Sequence, residues 1–189
     1  MIFYSKAISN DDIKGILNLQ RANLPRSLSM DEIQSQGFVT IEHTDELLKK
    51  LNNFEKHVIA KDDDKVIGYV LAMTKNSRFD IPILFPMFDA FNAIRYKDKK
   101  ISDFNYIVVG QVCVAKEYRG QRVFDHCYGA YKEFYKDKYD FAITEIAKAN
   151  SRSLKAHLRI GFKEVHSYSS ADKTDWIVVI WDWKNGSYN

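Results

Sequence analysis

Cysteine is scarce: the chain has 189 residues and two cysteines, Cys113 and Cys127. One falls in a predicted strand and the other on a predicted helix, both among apolar neighbours, which is the setting of a buried free thiol. Neither has a metal-ligand spacing to a second Cys or His, and no metal site is expected. Long apolar runs are missing too; none approaches the roughly 20 residues that a membrane span needs. The opening Met1-Ile2-Phe3-Tyr4-Ser5-Lys6 has no signal-peptide pattern. A cytoplasmic protein without membrane association is the resulting expectation. There is no strong surplus of one charge either: 28 basic against 25 acidic residues give a net +3, and the charges are interspersed. Nucleic-acid binding is therefore not expected, while a small polyanion would suit the modest excess. Repeats, low-complexity tracts and linkers are absent as well, so residues 1–189 read as a single domain with a real core.

What is present is an ordinary globular mixture, 46% hydrophobic and 28% charged, with a high aromatic share of 14%. Residues 2–8 alternate weakly, as an edge strand does. Ser9 to Asp12 supply an N-cap and early acidic residues for an amphipathic helix through Ile13, Ile16, Leu17 and Leu19 that ends before Pro25. Ser29 caps a second helical stretch, Met30 to Gln36, and Gly37-Phe38-Val39-Thr40-Ile41 reads as extended. Thr44 caps Asp45 to Asn52. His57 to Lys61 and Val66 to Met73 form an antiparallel hairpin about the acidic turn Asp62-Asp63-Asp64-Lys65, a solvated turn rather than a metal site.

Residues 75–103 break the alternation. Phe79, Phe85, Phe88 and Phe91 crowd here with Ile81, Ile83 and Leu84, followed by the basic run Arg95 to Lys100. The stretch is too long and apolar for a plain connection, and a short helix is expected at about Met87 to Arg95. Extra core, a homodimer contact, a lid and the wall of an acceptor pocket all fit these residues.

A strand, Ile107 to Val114, then leads through the turn Ala115 to Gly120 into a helix from about Gln121 to Lys138. Its expected apolar face is Val123, Cys127, Ala130, Tyr131 and Phe134. Strand, Gly-containing turn and helix point backbone N–H groups at a phosphate. Tyr139 to Ile146 is another strand. A helix starts at Asn150 or Ser151 and closes at Gly161, and Phe162 to Tyr168 with Thr174 to Trp183 form a final strand pair. The fold class is a mixed α/β sheet flanked by helices.

Two segments carry a resemblance: Val112-Cys113-Val114-Ala115-Lys116-Glu117-Tyr118-Arg119-Gly120-Gln121-Arg122, and Thr144-Glu145-Ile146-Ala147-Lys148-Ala149-Asn150 leading to His157-Leu158-Arg159-Ile160-Gly161-Phe162. Their order, and the spacing of about thirty residues from turn to Asn, resemble the GNAT superfamily of acetyl-CoA-dependent N-acetyltransferases. The resemblance implies a twisted mixed sheet of about six or seven strands in one acyltransferase domain, with 75–103 as an insert. It also implies that the family's fourth and fifth strands, here Tyr106 to Val114 and Phe141 to Ile146, splay apart around acetyl-CoA. The pantetheine arm is then expected on the backbone of Val112, Cys113 and Val114. The pyrophosphate is expected on the N–H groups of Arg119, Gly120, Gln121, Arg122, Val123 and Phe124, with Asn150 bonding CoA or the adjoining loop. The family's turn reads Gln/Arg-x-x-Gly-x-Gly/Ala, so Arg122 and Phe124 depart from it. Helical φ at these positions would let the backbone donors survive without Gly. Arg122 either pairs with a CoA phosphate or weakens its binding.

Acetyl transfer to a primary amine by direct attack in a ternary complex needs a neutral amine, an oxyanion donor and a proton for the leaving thiolate. Backbone N–H near Val112 or Val114 is the donor. His157 stands where the family commonly places a Tyr as general acid, and an imidazole with a free pKa of about 6.5 can donate when charged. The alternative is a helix His that packs or faces water. Glu145, twelve residues earlier, stands where some family members place a base; its alternative is a strand-end carboxylate bonding a neighbour. Tyr106 and Gln111 are further water-positioning groups. Phe79, Phe85, Phe88 and Tyr106 are the candidate acceptor contacts, for a small-molecule or peptide amine. A non-catalytic acyl-CoA-binding module is the competing reading, and a nucleic-acid or protein-interaction domain is a further one.

Overall fold

The computed structural model describes residues 1–32, 38–39 and 41–184, with Ile83 by its backbone only. In chain order the elements are β1 (Ile2–Lys6), α1 (Asn10–Arg21), α2 (Asp45–Phe54), β2 (Val58–Asp62), β3 (Lys65–Met73), α3 (Phe85–Ala93), β4 (Arg95–Tyr96) and β5 (Lys99–Lys100). They continue with β6 (Tyr106–Val114), α4 (Val123–Tyr135), β7 (Phe141–Ala147), α5 (Ser151–Ile160), β8 (Lys163–Ser169) and β9 (Asp175–Asp182). Seven strands make one mixed sheet in the order β1-β2-β3-β6-β7-β9-β8, and β4 pairs β5 apart from it. The chain divides into two compact units, Met1–Met73 with Val109–Phe134, and Thr74–Val108 with the chain from Tyr135 onward.

In the first unit, local chemistry sets the helix starts as the sequence requires. Ser9 and Asp12 form a capping box on α1, and Thr44 Oγ1 accepts from Leu47 N–H (3.2 Å) on α2. Ile13, Ile16, Leu17, Leu48 and Leu51 are buried, as are Ile59, Tyr69 and Leu71 of the hairpin. The hairpin turns at Asp63, in the left-handed region with φ 49°, and Asp62 accepts from Tyr118 Oη (2.9 Å) and the terminal ammonium (3.1 Å). Ser29 and Glu32 bond each other's backbone (3.3 and 3.0 Å). The expected helix to Gln36 passes outside the described residues after Glu32, as do Gly37 and Thr40 of the expected extended stretch; Phe38, Val39 and Ile41 lie in no strand.

The expected face of α4 needs correcting. Val123, Cys127 and Tyr131 are buried, but they are joined by Tyr128 and Tyr135, whereas Phe134 is 36% exposed. The stripe is rotated toward the large phenols, which bury more apolar area than Ala130 could. Around Val123 and Cys127 the helix lies so close to β3 that a Cβ on Gly68 would stand 3.1 Å from Val123 Cγ1 and 3.4 Å from Cys127 Sγ. Both cysteines are buried and free, as their neighbours required.

In the second unit, β6 and β7 pair in parallel, Tyr106 to Val108 against Phe141 to Ile143, and β7-β9-β8 continue antiparallel. The 75–103 stretch folds as 3₁₀ turns at Lys75–Phe79 and Pro82–Leu84, then α3, two residues earlier than expected, with Pro86 in its first turn. The basic run Arg95 to Lys100 has no expected element beyond the helix end at Arg95. It forms the β4-β5 hairpin, with Lys97 at φ 52° and its ammonium 2.7 Å from Asp182.

Candidate active site

The turn after β6 is held by its own side chains. Ala115 N–H bonds Ile67 O of β3 (2.8 Å), and a 3₁₀ turn covers Lys116–Tyr118. Arg119 donates from Nε to Val114 O (3.2 Å) and from Nη2 to Asn23 Oδ1 (2.5 Å), so its guanidinium ties the strand end to the residues just past α1. Its N–H closes the preceding turn on Lys116 O (3.3 Å), so the donors expected from Arg119 onward start at Gly120. Among the described residues the N–H groups of Gly120, Gln121 and Arg122 have no backbone acceptor. Gln121 donates its amide to Glu117 O (2.8 Å).

Gly120 has φ 78° and Arg122 has φ 61°. Helical φ was expected at Arg122, and that expectation is overturned: the backbone is left-handed where the family turn carries Gly. The helix proper opens at Val123, and its first bond runs from His126 N–H to Arg122 O (3.0 Å). Alternating left-handed residues ahead of a helix N-terminus make a concavity of N–H groups of the kind that binds phosphate. The Arg122 side chain is exposed and makes no ion pair or hydrogen bond among the described residues. Phe124 is half-buried, its ring 5.0 Å from Tyr128. Val112 and Val114 are half-buried, and Cys113 is buried, its thiol pushed up to about 12 by desolvation.

Gln111 is not available to position water. Its Oε1 accepts from Gln20 (2.8 Å) and Tyr69 (2.6 Å), and its Nε2 donates to Ile41 O (2.9 Å). Gln20 also bonds both the ring and the backbone N–H of His43 (2.8 Å each). This buried polar network has no sequence signal beyond single polar letters in apolar runs.

In the second unit, Glu145 of β7 is a carboxyl shifted upward, whereas Asp172 and Asp182 are held down by their hydrogen-bond and ion-pair partners. Burial pushes Glu145 up to about 7, opposed by a hydrogen bond from the Tyr168 hydroxyl to Oε2. Tyr168 comes from β8 and reaches across β9; sequence reasoning missed it, because only strand register brings the two together. Glu145 Oε1 has no donor among the described residues.

His157 is 2% exposed. Its Nδ1–H donates to Ser153 O (2.7 Å), and burial lowers its pKa to about 4. Phe162 N–H bonds His157 O and Gly161 N–H bonds Leu158 O (3.1 Å each), the paired bonds that end a helix through a left-handed glycine. The His157 ring packs edge-on against Phe162 at 5.2 Å, the side-chain contact that accompanies this ending. Asn150 Oδ1 caps α5 on Ser153 N–H (3.3 Å).

The candidate acceptor contacts do not stay together. Phe88 and Tyr106 are 1% and 2% exposed, and Phe91 bridges them at 6.2 Å to each ring. Tyr106 stacks on Phe141 at 5.9 Å, with the Lys75 ammonium 4.8 Å from its ring, and its phenol is pushed up to about 12 by burial. Phe79 and Phe85 are 63% and 40% exposed. Tyr106 pairs with Phe141, four residues before Glu145 and hence about 13 Å along the strand.

These residues sit on a fold with known relatives. The model of the acetyltransferase (GNAT) family matches residues 27–162, and the chain belongs to that family. Comparison with curated protein sequences gives no match. Among solved structures, NAA60 of Arabidopsis thaliana in complex with acetyl-CoA aligns with a TM-score of 0.65 at 13% identity, covering 96% of this chain and 99% of that one. The NatC complex bound to Gag peptide and CoA gives 0.63 at 14%, covering 96% and 98%. The ribosomal-protein-S18-alanine N-acetyltransferase of Escherichia coli gives 0.62 at 11%, covering each chain in full. At these identities the likeness is one of fold.

Proposed function

We propose that the protein transfers an acetyl group from acetyl-CoA to a primary amine, on a small molecule or a peptide, with Glu145 as the base. The reading is carried by Glu145, a carboxyl that burial brings close to neutral pH in a chain of the acetyltransferase family. A general base works best with a pKa near the working pH. When bound, acetyl-CoA supplies the activated carbonyl and the thiolate leaving group. The N–H groups of Gly120, Gln121, Arg122, Val123 and Phe124 hold its phosphates, Arg122 adds a cation beside them, and Val112 and Val114 orient the acetyl carbonyl. Glu145 would remove one proton from the acceptor ammonium, freeing the lone pair that forms the N–C bond as the C–S bond breaks; the second proton shed by the nitrogen would go to the leaving thiolate, directly or through water, giving the amide and the free thiol. His157, held neutral by burial, serves α5 as a packing residue rather than as the acid. Phe79 and Phe85 are the proposed acceptor contacts, with Phe88 and Tyr106 as the interior that supports them.

Thiol release against a panel of amines tests this. Glu145→Gln should lower kcat by roughly 10²–10⁴ while leaving the CoA-induced thermal shift in place. His157→Phe should keep activity within a few-fold. A large loss in His157→Phe with none in Glu145→Gln would reverse the assignment. CoA binding with no transfer to any amine would favour a non-catalytic binding module.

A further inference from the structure

Glu145 has an unequal pair of oxygens. Oε2 accepts from Tyr168, and Oε1 has no donor among the described residues. The arrangement follows from register. Glu145 opposes Val178 on β9, Val178 opposes His166 on β8, and Tyr168 lies two residues farther along β8, opposite Trp176. Opposed residues share a face, so Glu145, His166 and Tyr168 stand on the same side of the sheet. The His166 ring stacks on that of Tyr168 at 6.4 Å and 22°, which steadies the phenol. Both oxygens belong to a half-buried carboxyl, and a carboxylate with one oxygen bound presents the other in a fixed direction.

We propose that Tyr168 is a positioning residue for Glu145: its hydroxyl fixes Oε2, so that Oε1 is the oxygen that takes the acceptor's proton. The inference rests on Glu145 being the base and adds a residue outside both family motifs. Direction follows from the chemistry. The phenol donates to the ionised carboxylate and stabilises it against the burial that favours the neutral acid. Removing the hydroxyl leaves burial unopposed. Among the described residues of the paired strands, the other titratable groups on this face are His166 and Lys163 on β8, Tyr106 on β6, stacked on Phe141, and Asp182 on β9, which is engaged by Lys97 (2.7 Å) and Tyr96 (2.8 Å).

The test is Tyr168→Phe, which keeps the ring and its stack. Two readouts are taken: the pH profile of kcat/KM, and the titration of the Glu145 side-chain carbon by ¹³C NMR, which needs no activity. The acid limb and the NMR midpoint should both move up by about one pH unit, as expected for losing one hydrogen bond to a charge, and the high-pH plateau should fall by roughly tenfold as the carboxylate loses its fixed direction. An unmoved NMR midpoint overturns the proposal, and so does complete loss of activity at every pH, which would make Tyr168 a direct contact of the reacting groups. If Glu145→Gln keeps full activity while the midpoint still moves, the coupling stands and the assignment of Glu145 as base falls.

Discussion

At the residue scale, the turn ahead of α4 and Glu145 show two ways of departing from ordinary chemistry. Arg122 carries a side chain at φ 61°, where an L-residue is strained by roughly 1–2 kcal/mol. Gly there would relieve the strain but add freedom to the unfolded chain, an opposing effect of about 0.4–1 kcal/mol. Arg122→Gly should therefore stabilise the fold by about 0.5–1 kcal/mol, read as a higher urea midpoint at unchanged slope. The same variant should bind CoA less tightly if the guanidinium meets a phosphate, so stability and affinity would move in opposite directions. Affinity unchanged or improved would show that Arg122 is only a bulky substitute for Gly. The residue types at this turn were legible in the sequence, because the motif's spacing marks which positions correspond to the family's turn. The left-handed backbone at Arg122 was not, since Arg is at home in a helix and nothing in the letters marks a forced φ.

At the element scale, the ending of α5 decides where β8 begins. Gly161 has φ 112°, and a Cβ there would stand 2.8 Å from Trp181 Nε1 and 3.2 Å from its Cδ1. The residue thus meets a backbone demand and a steric one together. Gly161→Ala should cost about 2–3 kcal/mol, and it should also disturb the packing of His157 on Phe162 and of Phe162 on Trp181, at 5.6 Å. Denaturant unfolding measures the cost, and a loss under 0.5 kcal/mol would mean that the helix end can relax. Capping letters made α1, α2 and α5 readable: Ser9 with Asp12, Thr44, and Asn150 with Gly161 each act within a few residues. The β2-β3 hairpin was readable for the same reason. Contacts made through register were hidden, namely Tyr168 on Glu145, the Gln111 network, and the β4-β5 hairpin inside what reads as a basic run. The large phenols of α4 misled the helix face because a Tyr can count as apolar or polar.

At the scale of the whole molecule, buried histidines set the response to acid. Desolvation lowers His57 to about 3 and His43 and His157 to about 4. Two of them resist charging for a geometric reason as well. His57 Nδ1 accepts from Ala72 N–H (3.1 Å), and His43 Nδ1 accepts from the Gln20 amide (2.8 Å), so a second ring proton would face a donor. All three folded pKa values lie below the unfolded one, so the unfolded chain takes up protons that the native chain refuses. Their stabilisation is complete above about pH 6.5 and is lost as pH falls toward 4. Glu145 works in the opposite sense. Its carboxyl is raised to about 7, so the native chain holds a proton that the unfolded chain has released between about 4.5 and 7, offsetting about one histidine. Near pH 5.5 the balance is about two protons taken up on unfolding, or roughly 3 kcal/mol per pH unit. Urea unfolding at pH 7.5, 6.5, 5.5 and 4.5 should show stability nearly level down to 6.5 and falling steeply below it. Against an ordinary stability of about 5–15 kcal/mol, the net loss of about 6 kcal/mol by pH 4 removes a large share of it. Stability that stayed level to pH 4.5 would mean that these histidines reach water, and the neutral packing role of His157 would fall with them.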